Sequence, residues 1–83
     1  MPRTNAEARE EARRRLLEAG AEHIARDGLE RASVDAIAIA AGYAKGTFYN
    51  YFDSKEQLFG EVIAEGGDFL FRRPYQKHLF ISR

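Results

Sequence analysis

Cysteine is missing from the 83-residue sequence, so neither a disulfide framework nor a thiolate metal site can supplement the core. Its absence fits a cytosolic chain. No run approaches the ~20 apolar residues that a membrane span requires. The start, Met1 to Arg15, is charged and lacks the apolar stretch of a secretory signal peptide. The expectation is therefore a soluble, cytoplasmic protein without a membrane partner. An excess of charge of one sign is also lacking: thirteen basic and thirteen acidic side chains leave a formal net charge of zero. Many nucleic-acid binders carry a basic excess, so any such function has to rest on where individual charges sit. Catalytic equipment is scarce as well. His23 and His78 are isolated, no nucleophile stands beside a base, and Gly42-Tyr43-Ala44-Lys45-Gly46 reads as a capped turn and not as a phosphate-cradling loop. The expectation is no enzyme, no metal and no cofactor.

What is present is helical. Thr4 to Arg26 is rich in Ala, Glu, Arg and Leu, all strong helix formers. Thr4 or Asn5 can cap its start, with Glu7 in the favourable first turn. Leu16, Gly20 and Ile24 recur at four-residue steps beside Leu17 and Ala21, giving one apolar stripe. Charges on the other faces pair at helical spacing, Glu11 with Arg15, and Glu18 and Glu22 with Arg26. Arg13-Arg14-Arg15 is open to two readings, a solvated face or a contact to phosphate. Gly28 ends the helix.

Ser33 announces a second helix of about two turns, with Asp35 near its start and Val34, Ile37, Ala38 and Ala41 on one face; Ile39 falls outside that face. Gly42 suits a left-handed cap. The third segment runs from Lys45, with Phe48 and Phe52 four apart on one side. Ser54 with Gln57 is a capping-box signature for a fourth helix, which turns Leu58, Val62 and Ile63 inward. The sequence thus predicts an all-α fold, a small homeodomain-like helix-turn-helix bundle of three helices plus a fourth, over residues 1–66. Residues 67–83 form an atypical tail, with Gly66-Gly67 at its start, no clear period and Pro74 in its middle.

Two short helices joined by a glycine-containing turn behind a longer one outline a helix-turn-helix. A helix entering a DNA groove needs an apolar face anchored from behind, here by Phe48 and Phe52. Its other face must offer short, stiff hydrogen-bonding groups, and Lys45, Thr47, Tyr49, Asn50 and Tyr51 are of that kind, while Gly46 lets the backbone approach. Periodicity alone leaves Tyr49 and Tyr51 open to core packing. A helix buried all round is more than so small a chain can hold, which favours their hydroxyls facing outward.

Gly28 through Phe59 resembles the amino-terminal domain of the TetR/AcrR family of bacterial transcriptional regulators. The resemblance is carried by Ala32-Ser33-Val34, Ile37-Ala38, Ala41-Gly42, Lys45-Gly46-Thr47-Phe48-Tyr49, Tyr51-Phe52 and Ser54-Lys55-Glu56-Gln57-Leu58-Phe59, with Leu16-Leu17 and Ala19 upstream. It implies that the Ser33-Val34 end of the second helix contacts phosphate and that Lys45 and Gly46 approach base edges or backbone. It further implies that Thr47, Tyr49, Asn50 and Tyr51 contact phosphates and bases, and that Lys55 holds phosphate from the fourth helix. Asn50 is the candidate for sequence readout, because an amide pairs bidentately with adenine.

Three residues depart from the family pattern: Ala44 replaces a capping serine, Tyr43 a small aliphatic turn residue, and His23 an apolar position. The larger departure is the tail. A family regulator continues into a domain that dimerises and binds an effector, so this sequence is expected to lack the effector pocket and to form a weakened homodimer. A truncated gene, a tail folded over the core and an interaction segment all account for residues 67–83. The resemblance implies double-stranded operator DNA as partner and repression as outcome; a protein-interaction module or a remnant of a longer regulator are the alternatives.

Overall fold

In a computed structural model, residues 4–65 describe four helices: α1 Asn5–Asp27, α2 Val34–Ala41, α3 Lys45–Tyr51 and α4 Lys55–Ala64. The boundary expected after residue 66 and the tail 67–83 lie outside the described residues. Among those described, no helix is long and apolar enough to cross a membrane.

The helix starts follow from side chains that satisfy otherwise orphaned backbone donors. Thr4 Oγ1 accepts the Glu7 N–H at 3.0 Å, and Ser33 Oγ accepts the Ala36 N–H at 3.1 Å. Ser54 Oγ accepts the Gln57 N–H at 3.1 Å, while Gln57 Oε1 reaches back to the Asp53 N–H at 2.6 Å. The return bond thus falls one residue ahead of the usual capping-box partner. α3 differs: its cap position is Ala44, which offers no side-chain bond. α2 ends in a Schellman motif, in which Gly42 N–H bonds to Ile39 O and Tyr43 N–H to Ala38 O, each at 2.9 Å. Gly42 sits at φ +94° and ψ +22°, a left-handed conformation that glycine adopts without a Cβ penalty.

α1 packs against both α2 and α4, and α2 against α3. Leu16, Leu17, Ile37, Phe48 and Leu58 are fully buried, with Phe52 and Val62 nearly so. The stripe expected on α1 therefore faces the core. Gly20, at its centre, lets α4 come close: a Cβ there would stand 2.9 Å from Leu58 Cδ1 and closer still to Cδ2. Ile39 is 66% exposed, as its spacing predicts. Ile63 is 61% exposed, which corrects the expectation that it turns inward. Leu58 and Val62 already set the inner line of α4, and the next residue is carried about 100° round the helix.

Charges tie the outside of α1. Arg13 crosses to α4, 3.0 Å from Glu61 and 3.7 Å from Glu65. Arg14 pairs with Glu11 at 3.0 Å and Glu18 at 2.9 Å, and Arg15 with Glu11 at 2.8 Å. The pairing of Glu11 with Arg15 follows the sequence expectation. Glu18 turns instead to Arg14, and Arg26 to Asp27 at 3.0 Å. Exposed pairs of this kind contribute little to stability, because solvent and salt screen them.

Candidate nucleic-acid interface

The α2–turn–α3 unit is fixed from behind. Phe48 and Phe52 lie in the core with ring centroids 5.5 Å apart, and Phe48 meets Tyr49 edge-on at 5.3 Å. With Phe48 pointing inward, the 100° step of a helix places Gly46 and Asn50 on the opposite side, flanked by Thr47 and Tyr49. Lys45, Gly46 and Asn50 are exposed, Tyr49 is 48% exposed and Thr47 is half-buried. The side chains of Lys45, Thr47 and Asn50 engage no hydrogen bond or ion pair within the described residues. Nothing lies within 4 Å of where a Gly46 Cβ would stand. Alanine is the better helix former, and among the described residues neither φ nor packing calls for glycine there.

Tyr51 departs from the rest. It is half-buried and packs against the core, because it follows Phe48 by three residues and so flanks the same inner line. Its ring therefore lies along the core edge, and half of the residue stays accessible. Val34 also packs half-buried against the core, whereas Ser33 is exposed at the start of α2. Its hydroxyl already serves the Ala36 N–H, and Asp35 places a negative charge in the same turn.

Lys55 stands apart from the α3 face. Its ammonium donates to Glu30 O at 2.8 Å and Ala32 O at 3.0 Å, both in the loop between α1 and α2. Sequence reasoning had no means of finding this clasp, since the carbonyls lie 25 and 23 positions away. Arg13, Arg14, Arg15 and Arg26 of α1 are likewise turned to carboxylates. Arg14 and then Arg15 hold the Glu11 carboxyl below the usual carboxylate range, and Arg26 does the same for Asp27. Arg13, Arg14 and Arg15 are thus each paired with a carboxylate of the chain.

Residues 16–62 match the family model described as bacterial regulatory proteins, tetR family. The chain is 42% identical over 55 residues to an uncharacterised helix-turn-helix-type transcriptional regulator, YdgC, of Bacillus subtilis, covering 66% of this chain and 28% of that protein. It is 40% identical over 58 residues to the helix-turn-helix-type transcriptional repressor DhaR of Mycobacterium sp., covering 70% of this chain and 29% of the other. With the transcriptional repressor KstR2 of Mycolicibacterium smegmatis the figures are 42% over 64 residues, 77% of this chain and 31% of the relative. The chain thus spans less than a third of the length of these relatives. No solved structure gives a significant match.

Proposed function

This chain belongs to the tetR family of bacterial regulatory proteins, and from that premise we propose that it binds operator DNA through α3 and represses transcription. The observation that carries the reading is the outward face of α3. Gly46, Thr47, Tyr49 and Asn50 project from a helix held by two buried phenylalanines, with hydrogen-bonding capacity that the fold leaves unused. Gly46 admits a phosphate or base edge close to the backbone, Lys45 supplies charge, and the Tyr49 hydroxyl is stiffened by the contact of its ring with Phe48. Asn50 is the residue we assign to base readout, through the paired donor and acceptor of an adenine edge. Ser33, Val34 and Tyr51 border this face and set its position on the backbone.

Two copies would read half-sites about one helical turn, ~34 Å, apart. The relatives with assigned roles are regulators, DhaR and KstR2 being named repressors; a cytoplasmic, non-enzymatic role follows for this chain under the same proposal.

The test is fluorescence anisotropy against duplexes from the region upstream of its own coding sequence, at two salt concentrations. Saturable, salt-weakened binding that prefers one duplex, lost in Asn50→Ala with helicity unchanged, supports the reading. A folded chain that binds no duplex at low salt defeats it.

A further inference from the structure

We propose that one flank of α4 is a docking strip for the next stretch of this same chain, Phe69-Leu70-Phe71, laid back antiparallel to the helix. Glu56, Phe59, Gly60 and Ile63 fall within about 100° of arc on α4. On that flank Ile63 is 61% exposed and Phe59 is half-buried, while Gly60 and Glu56 are exposed. Phe59 and Ile63, four residues apart, make a continuous apolar strip. No described residue comes within 4 Å of where a Gly60 Cβ would stand, so another backbone can approach the helix closely there. At the far end of the strip, Glu56 forms no ion pair among the described residues.

Residues 66–73 lie outside the described residues, and their sequence matches the strip in order, spacing and charge. Gly66-Gly67 follows α4 directly, and glycine takes the positive φ that a chain reversal needs. Four chain steps from Glu65 to Phe69 reach up to about 13 Å, enough to round the helix end. In an extended run Phe69 and Phe71 share one face about 6.6 Å apart. Ile63 and Phe59 are separated by about 6 Å along the helix axis, so one ring covers each. Arg72-Arg73 then arrives beside Glu56, one turn further toward the start of α4. A second copy or a foreign protein would bring such a surface from solution. This one is tethered three residues from the helix, at the high effective concentration of a short link. Continued helix through 66–71 would instead set Leu70 on the same flank and lengthen the strip without covering it.

The test is nuclear magnetic resonance on the full 83-residue chain, dilute and without DNA. Nuclear Overhauser contacts are expected between the Ile63 methyls and the rings of Phe69 and Phe71. In a mixture of labelled and unlabelled protein they should arise within one chain. Contacts found only between copies make a second copy the occupant and overturn the proposal. So do helical carbon shifts running through residues 66–71, or an Ile63 that meets neither ring.

A second measurement times trypsin cleavage of the Arg72–Arg73 bond by mass spectrometry. Ile63→Asp puts a charge in the strip at an exposed position and is expected to speed that cut about three- to tenfold, in proportion to the time the segment spends released. The double variant Phe69→Ser/Phe71→Ser leaves residues 4–65 as they are and should give the same acceleration, whether or not Ile63→Asp folds. A cut no faster in the double variant than in the wild type overturns the inference.

Discussion

Gly20 and Gly46 both sit inside helices, in opposite surroundings. At Gly20 the missing side chain is replaced by Leu58 of α4, so the glycine belongs to a joint that holds two helices together. At Gly46 no described residue comes within 4 Å of where a Cβ would stand, and the position is exposed. Gly20, inside α1, weakens its helix by ~1 kcal/mol relative to alanine, and Gly46, in the first turn of α3, weakens its helix by less. Only the first recovers that loss within the chain, through the close packing of α1 and α4. The second leaves it unrecovered, as expected where the return comes from a partner. The contrast extends to their neighbours: the joint is braced by Arg13 with Glu61 and Glu65, whereas Lys45, Thr47 and Asn50 find no side-chain partner among the described residues.

The comparison breaks most severely at Phe48, which touches both regions by filling the core and backing Tyr49. Phe48→Ala is expected to cost about 3–5 kcal/mol, enough to leave a domain of this size largely unfolded, as circular dichroism during a thermal melt would register. Next comes Gly20→Ala. The added methyl meets a Leu58 that is itself fully buried, so destabilisation of about 1–3 kcal/mol should outweigh the gain in helix propensity. A variant melting at or above wild type would show that the joint has room.

Gly46→Ala is expected to do the reverse, raising stability by about 0.5–1 kcal/mol while weakening duplex binding in the anisotropy assay. Tighter or equal binding would remove the partner from the account of Gly46. The smallest effect belongs to the outer charges of α1. The Glu11 carboxyl is held low by Arg14 and Arg15. Its contribution is therefore present above its unfolded pKa and lost as pH falls through the lower folded value. Glu11→Gln should lower the neutral plateau of a melting-temperature profile slightly and leave its low-pH end unmoved, which flattens the acid limb; the change is small because the pair is exposed and screened.

Much of this was legible in the residues. Thr4, Ser33 and Ser54 mark helix starts because a side-chain cap is a local event, satisfied three residues away. Gly42 marks the turn for the same reason, since its conformation is written in one residue type. Phe48 and Phe52 follow from spacing alone. What escaped depends on distance or on competition for the interior. Ile63 reads as an inward residue until Leu58 and Val62 are seen to fill the line. The partial burial of the Tyr51 ring is seen only once its place beside Phe48 is known. The role of Gly20 needs Leu58 brought to it from another helix, and the Lys55 clasp needs a loop more than twenty positions back. Backbone carbonyls carry no residue signature, so no pattern of side chains announces such a bond.

The brevity of α3 has a kinetic side. Seven residues with no side-chain cap at Ala44 fall well short of the ~12–15 at which an isolated helix becomes even marginal in water. The segment cannot wait, preformed, for the others; it winds up only when Phe48 finds the surface that α1 and α2 make together. Exposed positions along it are then silent during the climb to the folding barrier and felt only on the way back. A substitution at Asn50 would alter how fast the domain opens and leave the speed at which it closes unchanged, so this outward residue could vary from one relative to the next without slowing folding.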